Sequence, residues 1–355
     1  MARRNLYEGD YQIRRKKSKN LLWLGIISII MLFAGFTSAY IVIAQDTFWV
    51  AIEMPISFWI STAVIIVGSL TYYLALKDVR KENFKRTSVW LYLTLITGIA
   101  FGVLQFTGWA ELVEKGNYLV GSISAEGKYG TNFTLTHEGD RIGFDGTDYY
   151  LKGEKVSEDL DQQIHELADR VLASDLQQEK MNYDFSGLSG LAISFQNRPL
   201  IPKDGGLYYE FRDSMVMLSY DQRIYLKTFA FNIKEDLGDF QMKGEYGKDY
   251  TLLWKGDELT YENRRLYLEN RELTQEEYAI LNKSRNTASS FIYIITVLHF
   301  LHYLGGLIYI LSTVIRAARG RLKKTSELQI ENGGLYWHFL GVLWIYLFMF
   351  LSFIH

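Results

Sequence analysis

Two histidines, His299 and His302, stand three residues apart in the apolar stretch TVLHFLHYLGGLIYI. Imidazole is a common ligand of haem and transition metals, so such a pair could hold a redox centre. Haem in a helical bundle takes side chains from two facing helices at matching depth, and a dinuclear metal needs carboxylates opposite the histidines. Counting 1.5 Å per residue inward from Ser290, His299 lies about 13 to 14 Å deep and His302 about 18 Å, whereas His338 lies about 25 Å from the outside. No two apolar segments offer histidines at one depth, and none has a carboxylate in its interior. Hydrogen bonding to a carbonyl, a neighbouring helix or a lipid headgroup is therefore the expected role. This reading gives the chain no catalytic residue, no cofactor ligand and no metal ligand.

The segments that position these residues are five apolar blocks in a chain of 355 residues: 21–44, 56–76, 89–109, 290–315 and 335–354. Each is near the roughly 20 residues that span about 30 Å of hydrocarbon as a helix. A charged side chain at the centre of such a helix costs a few kcal/mol, and none of the five carries one. An integral membrane protein follows. The first block is long, aromatic and without a small-residue cleavage site, so it is expected to stay in the mature chain. Lysine and arginine crowd the N-terminal stretch (Arg3, Arg4, Arg14, Arg15, Lys16, Lys17, Lys19), the loop after the second block and the loop after the fourth, while QDTFWVAIEMP has neither. The positive-inside rule then puts the N-terminus in the cytoplasm and the C-terminus outside, with everything between blocks three and four also outside. The absence of cysteine removes thiolate and disulfide chemistry.

Between Leu112 and Arg285 the composition becomes that of a water-soluble domain, with 31 Asp plus Glu against 21 Lys plus Arg, a net of −10. The runs NFTLT, DYYLK, LYYEF, RIYLKTFAF and DYTLLW read as strands, separated by the turns HEGD, DGTD, KGEK and KGDE. SEDLDQQIHELADRVLAS reads as one amphipathic helix capped by Ser157, with Leu160, Ile164, Leu167, Val171 and Leu172 on one face. An internal duplication is expected at an offset of 117, copies 120–159 and 237–276, pairing Gly121 with Gly238, Gly127 with Gly244, Tyr129 with Tyr246, Gly130 with Gly247, Thr134 with Thr251 and Leu135 with Leu252. Thr274 and Glu277 form a capping box from which a helix runs toward the fourth membrane block. His137, in a turn, and His165, on the helix's polar side, are expected to be solvated. The domain has no phosphate-binding glycine loop, no HExxH and no calcium loop, so it reads as a binding or docking module.

The fold class is thus membrane all-α with five transmembrane helices and an inserted β-rich (α+β) extracytoplasmic domain. The segments are 1–20 (cytoplasmic, basic), 21–110 (helices one to three), 111–286 (periplasmic insertion) and 287–355 (helices four and five).

Four motifs in order carry a family resemblance. SSFIYIITVLHFLHYLGGLIYILSTVIRAARGR is similar to the penultimate helix of subunit III of the haem–copper oxidases through His299, His302, Gly305 and Gly306. ENGGLYWHFLGVLWIYLF resembles the family's final helix through Glu331, Tyr336, Trp337, His338, Phe339 and Trp344. Upstream, Trp23, Ser28, Met31, Phe33 and Tyr40 match the first shared helix, and Phe101, Gln105 and Trp109 match FGVLQFTGWAEL. The resemblance takes in all five membrane blocks and none of the insertion, and it is to a short five-helix form. It departs at Ile29, Gly108 and Gly341, where the family often has carboxylates, so a carboxylate role in proton uptake does not carry over.

The resemblance implies a subunit without redox cofactors in a proton-pumping cytochrome c oxidase of a bacterial inner membrane, with haem and copper in partner subunits I and II. It also implies bound phospholipid, and contacts to lipid or subunits by the motif residues. The acidic insertion suits docking of an electron-donor cytochrome or another respiratory complex; no nucleic-acid partner is expected. Two other classes stay open on the residues alone: a membrane-anchored scaffold or sensor, and a haem-binding membrane cytochrome.

Overall fold

A computed structural model describes residues 2–121, 123, 133–144, 148–174, 187–188, 190–237, 240, 242–262 and 265–354, with the side chains of 2–12, 14 and 325 left aside. The chain divides into two compact units, Met1–Ala44 with Glu53–Leu112 and Ser290–His355, and Gln45–Ile52 with Val113–Ser289.

The first unit is helical. Its long elements are α1 (Ala2–Ala44), α2 (Ile56–Arg80), α3 (Phe84–Glu114), α7 (Thr287–Ala318) and α8 (Glu327–Phe353). All five are long and apolar enough to cross a membrane, the apolar span of α1 being Arg15–Ala44. The basic segment ahead of the first apolar block is therefore not a separate arm but the first turns of α1. Several hydroxyl side chains inside these helices bond to the backbone of their own helix or to a neighbouring helix. Thr94 Oγ1 donates to the Trp90 carbonyl and meets Thr71 Oγ1 across α2 and α3 at 2.8 Å. The closest seam joins α2 to α8. A Cβ added at Gly333 would lie 2.4 Å from Tyr72 Oη and one at Gly334 2.9 Å from Tyr72 Cε1, so only glycines admit this ring. Tyr72 Oη then donates to the Ile330 carbonyl at 3.1 Å.

The second unit holds fifteen short strands and three helices among the described residues. They are β1 (Phe48–Ile52), β2 (Phe133–His137), β3 (Asp140–Phe144), β4 (Tyr149–Leu151), β5 (Glu154–Lys155), α4 (Glu158–Ala173), β6 (Leu191–Phe195), β7 (Arg198–Pro199), β8 (Ile201–Lys203), β9 (Gly206–Phe211), β10 (Ser214–Met217), α5 (Tyr220–Lys234), β11 (Tyr250–Trp254), β12 (Asp257–Glu258), β13 (Thr260–Glu262), β14 (Arg265–Leu268), β15 (Arg271–Glu272) and α6 (Gln275–Leu281). Antiparallel pairing gives a six-stranded sheet, β5-β4-β3-β2-β6-β7, and the three-stranded sheets β10-β9-β8, β1-β11-β12 and β13-β14-β15. Against the strands pack α4 and α5, whose Ile164, Leu167, Val171, Leu226, Phe229 and Ile233 close over Phe133, Leu135, Ile142 and Ile193.

Three of the expected turns, at Glu138-Gly139, Lys152-Gly153 and Lys255-Gly256, have positive φ at both residues, the twist a two-residue hairpin demands. The fourth, DGTD at 145–148, has its first three residues outside the described ones, as are Gly127, Tyr129, Gly130 and Gly238 of the expected duplication.

Two expectations need correction. RIYLKTFAF is not a strand but the body of α5, because Ser219 and Gln222 form a capping box and Leu226, Phe229, Ala230 and Ile233 line one buried face. The helix begun at Thr274 stops at Leu281, and α7 starts afresh behind Asn286, whose Oδ1 accepts from Ser289 N–H at 3.1 Å. Beyond these, the loop QDTFWVAIEMP supplies a strand that sequence analysis did not single out: its FWVAI is β1, paired with β11 from Phe48↔Trp254 to Ile52↔Tyr250.

Candidate functional site

In the first unit the motif residues meet along α3, α7 and α8. His299 is fully buried, and its Nε2–H donates to the Leu340 carbonyl at 3.1 Å. Its ring lies 5.2 Å from that of Trp344 and 6.1 Å from that of Phe101. Trp344 Nε1–H donates to Thr62 Oγ1 at 2.9 Å, Gln105 Nε2–H to Ser61 Oγ at 3.0 Å, and Trp109 Nε1–H to Thr296 Oγ1 at 3.0 Å. One turn along, His302 Nδ1–H donates to the Leu298 carbonyl of its own helix at 2.7 Å, while Tyr336 Oη donates to the His302 carbonyl at 3.2 Å. The two imidazoles of the motif therefore turn to different backbones rather than converging on one point. Among the described residues no three His, Cys, Asp or Glu side chains group as a metal-ligand set.

The glycines differ from one another. Gly306 packs against Leu340, where a Cβ would come within 3.0 Å, but a Cβ on Gly305 would meet nothing within 4 Å. At Gly108 the Phe58 ring fills the space, 2.2 Å from where a Cβ would stand. Tyr40 is buried between Phe291 and Phe350, whereas Trp23 is half exposed on α1.

Where the basic part of α1 meets the start of α8, Glu331 accepts from Arg15 Nη2 and Lys19 Nζ, both at 2.7 Å, and lies 3.7 Å from Arg80 Nη2. Asn332 Nδ2 donates to Ser18 Oγ at 2.7 Å alongside. Arg15, Lys19 and Arg80 are legible in the sequence only as topogenic charge; the structure uses them to hold one carboxylate and to tie α1 and α2 to α8.

Residues 266–354 match the family model described as cytochrome c oxidase subunit III. A curated relative, cytochrome c oxidase subunit 3 of Synechocystis sp., is 42% identical over 65 residues, 18% of this chain and 28% of the relative. Through its C-terminal apolar helices the chain is thus similar to cytochrome c oxidase subunit III. Its matched residues hold His299, His302, Gly305, Gly306, Glu331, Tyr336, Trp337, His338 and Trp344, while Trp23, Tyr40, Gln105 and Trp109 lie upstream of them. The boundary also differs from the expected one. The subunit III match opens inside β14 and so takes in the end of the insertion, and it does not reach α1, α2 or α3.

In the second unit His165 is not a solvated side chain. Its Nε2 meets Asp236 Oδ1 at 3.0 Å and its Nδ1 the Asp161 carbonyl at 2.9 Å, with the Tyr149 ring against it. Burial works to lower its pKa, but the hydrogen bonds to Asp161 and Asp236 and the charges of both carboxylates outweigh it, leaving the imidazole above its usual 6.5. Glu277 is held down to about 2, first by its hydrogen bonds from Arg271 and then by those from Thr274, against the opposing effect of burial. The His165 contact was hidden from sequence reasoning because Asp236 lies 71 residues away, whereas the partners of Glu277 are local.

Proposed function

We propose that the chain is the subunit III of a proton-pumping haem–copper oxygen reductase of a bacterial inner membrane, with its N-terminus cytoplasmic and its insertion and C-terminus periplasmic. The observation that carries this is the position of the family match: it encloses α7 and α8, where His299 and His302 are engaged with backbone carbonyls. In this reading the helices support the catalytic subunit I and bind phospholipid, and electrons pass through haem and copper in partner subunits. The acidic insertion docks a basic electron donor or a second respiratory complex.

We also read the insertion as one folding unit used repeatedly. Buried residues recur every seven positions at Leu135, Ile142 and Tyr149 and again at Leu252, Leu259 and Leu266, with helix caps at Ser157 and Thr274. Ile193, Leu200 and Leu207, followed by the cap Ser219, carry the same spacing a third time. That recurrence supports repetition of a two-hairpin-and-helix unit.

Affinity purification in mild detergent, with an optical spectrum and identification of every accompanying chain, tests the oxidase reading. Haem-bearing membrane subunits in stoichiometric amounts are the expected result. A protein that purifies alone and colourless would instead favour a membrane-anchored scaffold or sensor, and Soret absorbance from the isolated chain would make it a cytochrome.

A further inference from the structure

Along the seam of α2 and α8 runs a groove of about 510 Å³, lined by Ile65, Ser69, His338, Gly341, Val342 and Ile345 among others. Its walls are apolar apart from the exposed Tyr73 and one further place. Ser69 Oγ and His338 Nδ1 share a hydrogen bond there, and the His338 ring is half-buried against the edge of Tyr72. Among the described residues His338 Nε2 has no hydrogen-bond partner. His338 lies seven residues beyond Glu331 on α8 and Ser69 nine before Asp78 on α2, which puts the pair roughly 10 to 13 Å inward of the charged layer. A Cβ on Gly341 would meet only Ile65 Cγ1, at 3.8 Å, so the groove floor beside the imidazole is open.

An imidazole nitrogen at that depth is costly to leave against hydrocarbon. Lipid acyl chains offer it no hydrogen bond, and Glu331 with its cations lies roughly 10 Å away along α8. A helix laid into the seam supplies both what the walls need, an apolar ridge, and what His338 needs, a polar side chain. We infer that the α2–α8 groove seats a transmembrane helix of another subunit, one that presents a hydrogen-bonding side chain to His338. This rests on the reading of the chain as an oxidase subunit and names the surface that meets its partner.

The test is a photo-cross-linking residue at Val342, on the groove, compared with one at Ile96, on the exposed side of α3. Both are carried by the full-length chain in native membranes, and the products are identified by peptide mass after purification. From Val342 we expect adducts to a membrane-spanning segment of a haem-bearing subunit, at least tenfold more than from Ile96. His338→Phe should cut that yield by about tenfold, and His338→Gln, which keeps a hydrogen-bonding group, should restore most of it. Haem-bearing subunits that co-purify while Val342 yields only lipid adducts, or no more protein adducts than Ile96, would overturn the groove assignment alone. A His338→Phe yield equal to wild type would remove the hydrogen-bond argument. Absence of any haem-bearing subunit would overturn the oxidase reading and the inference together.

Discussion

Glu277 accepts four hydrogen bonds: two at 2.9 Å from Arg271, and bonds from Thr274 N–H and Oγ1 at 2.7 and 2.9 Å. Because its folded pKa is depressed, its contribution to stability is present above the unfolded value of 4.5 and is lost as pH falls toward about 2. Glu277→Ala should therefore cost about 1 kcal/mol at neutral pH and flatten the acid limb of the unfolding curve, followed by denaturant titration of the full chain. At His165 the sign is reversed. A raised imidazole pKa stabilises fully below the unfolded value of 6.5 and ceases to do so as pH rises through the folded one. Proton NMR of the imidazole should show its midpoint above 6.5, and Asp236→Asn should bring it down; an unmoved midpoint would mean the Asp236 contact is absent in solution. Legibility at this scale follows distance in the chain. The Thr274–Glu277 capping box spans three residues and is plain in the sequence, whereas His165 and Asp236 are 71 residues apart and nothing local links them. The glycines tell the same story. Gly305 and Gly306 look alike as a pair, but only the second touches a neighbour, and Gly333 and Gly334 gain their meaning from a tyrosine on another helix.

Helices and hairpins were legible to the extent that one pattern dominated. The five apolar spans, the α4 cap at Ser157 and the positive-φ turns follow from local hydropathy and backbone preference. RIYLKTFAF failed because aromatic and β-branched residues mimic a strand while the capping box just upstream starts a helix; the buried face of α5 against α4 decided between them. Most consequential is β1. Five residues between the first two membrane helices pair with β11, some two hundred residues later, and Phe48 stacks on Trp254 with ring centroids 4.0 Å apart. This strand covers the open edge of a sheet that would otherwise be free to pair with other chains. Phe48→Ala should destabilise the unit by about 3 to 5 kcal/mol and raise hydrogen exchange across 250–254. Unchanged protection of those amides would show that β1 is incidental to the sheet.

For the molecule as a whole, charge separates two environments: 31 acidic residues against 21 basic in the 112–285 stretch, and an excess of basic residues in the rest. If that acidity docks a basic donor, replacing the exposed Glu154, Glu210, Glu258 and Glu262 by glutamine should reduce the fall of kcat/KM with ionic strength in the assembled enzyme. A salt dependence identical to wild type would leave the charge a matter of solubility. The sequence by itself determined five spans long and apolar enough to cross a membrane, the strand-rich insertion and the C-terminal motifs that match subunit III, because hydrophobic length, composition and capping are properties of neighbouring residues. Only the tertiary structure decided that a membrane loop completes an insertion sheet, that Glu331 gathers Arg15, Lys19 and Arg80, and that His338 lines a groove rather than the core. Each of these is a pairing between residues far apart in the chain, and such pairings are chosen by the packing of the whole rather than by any local preference.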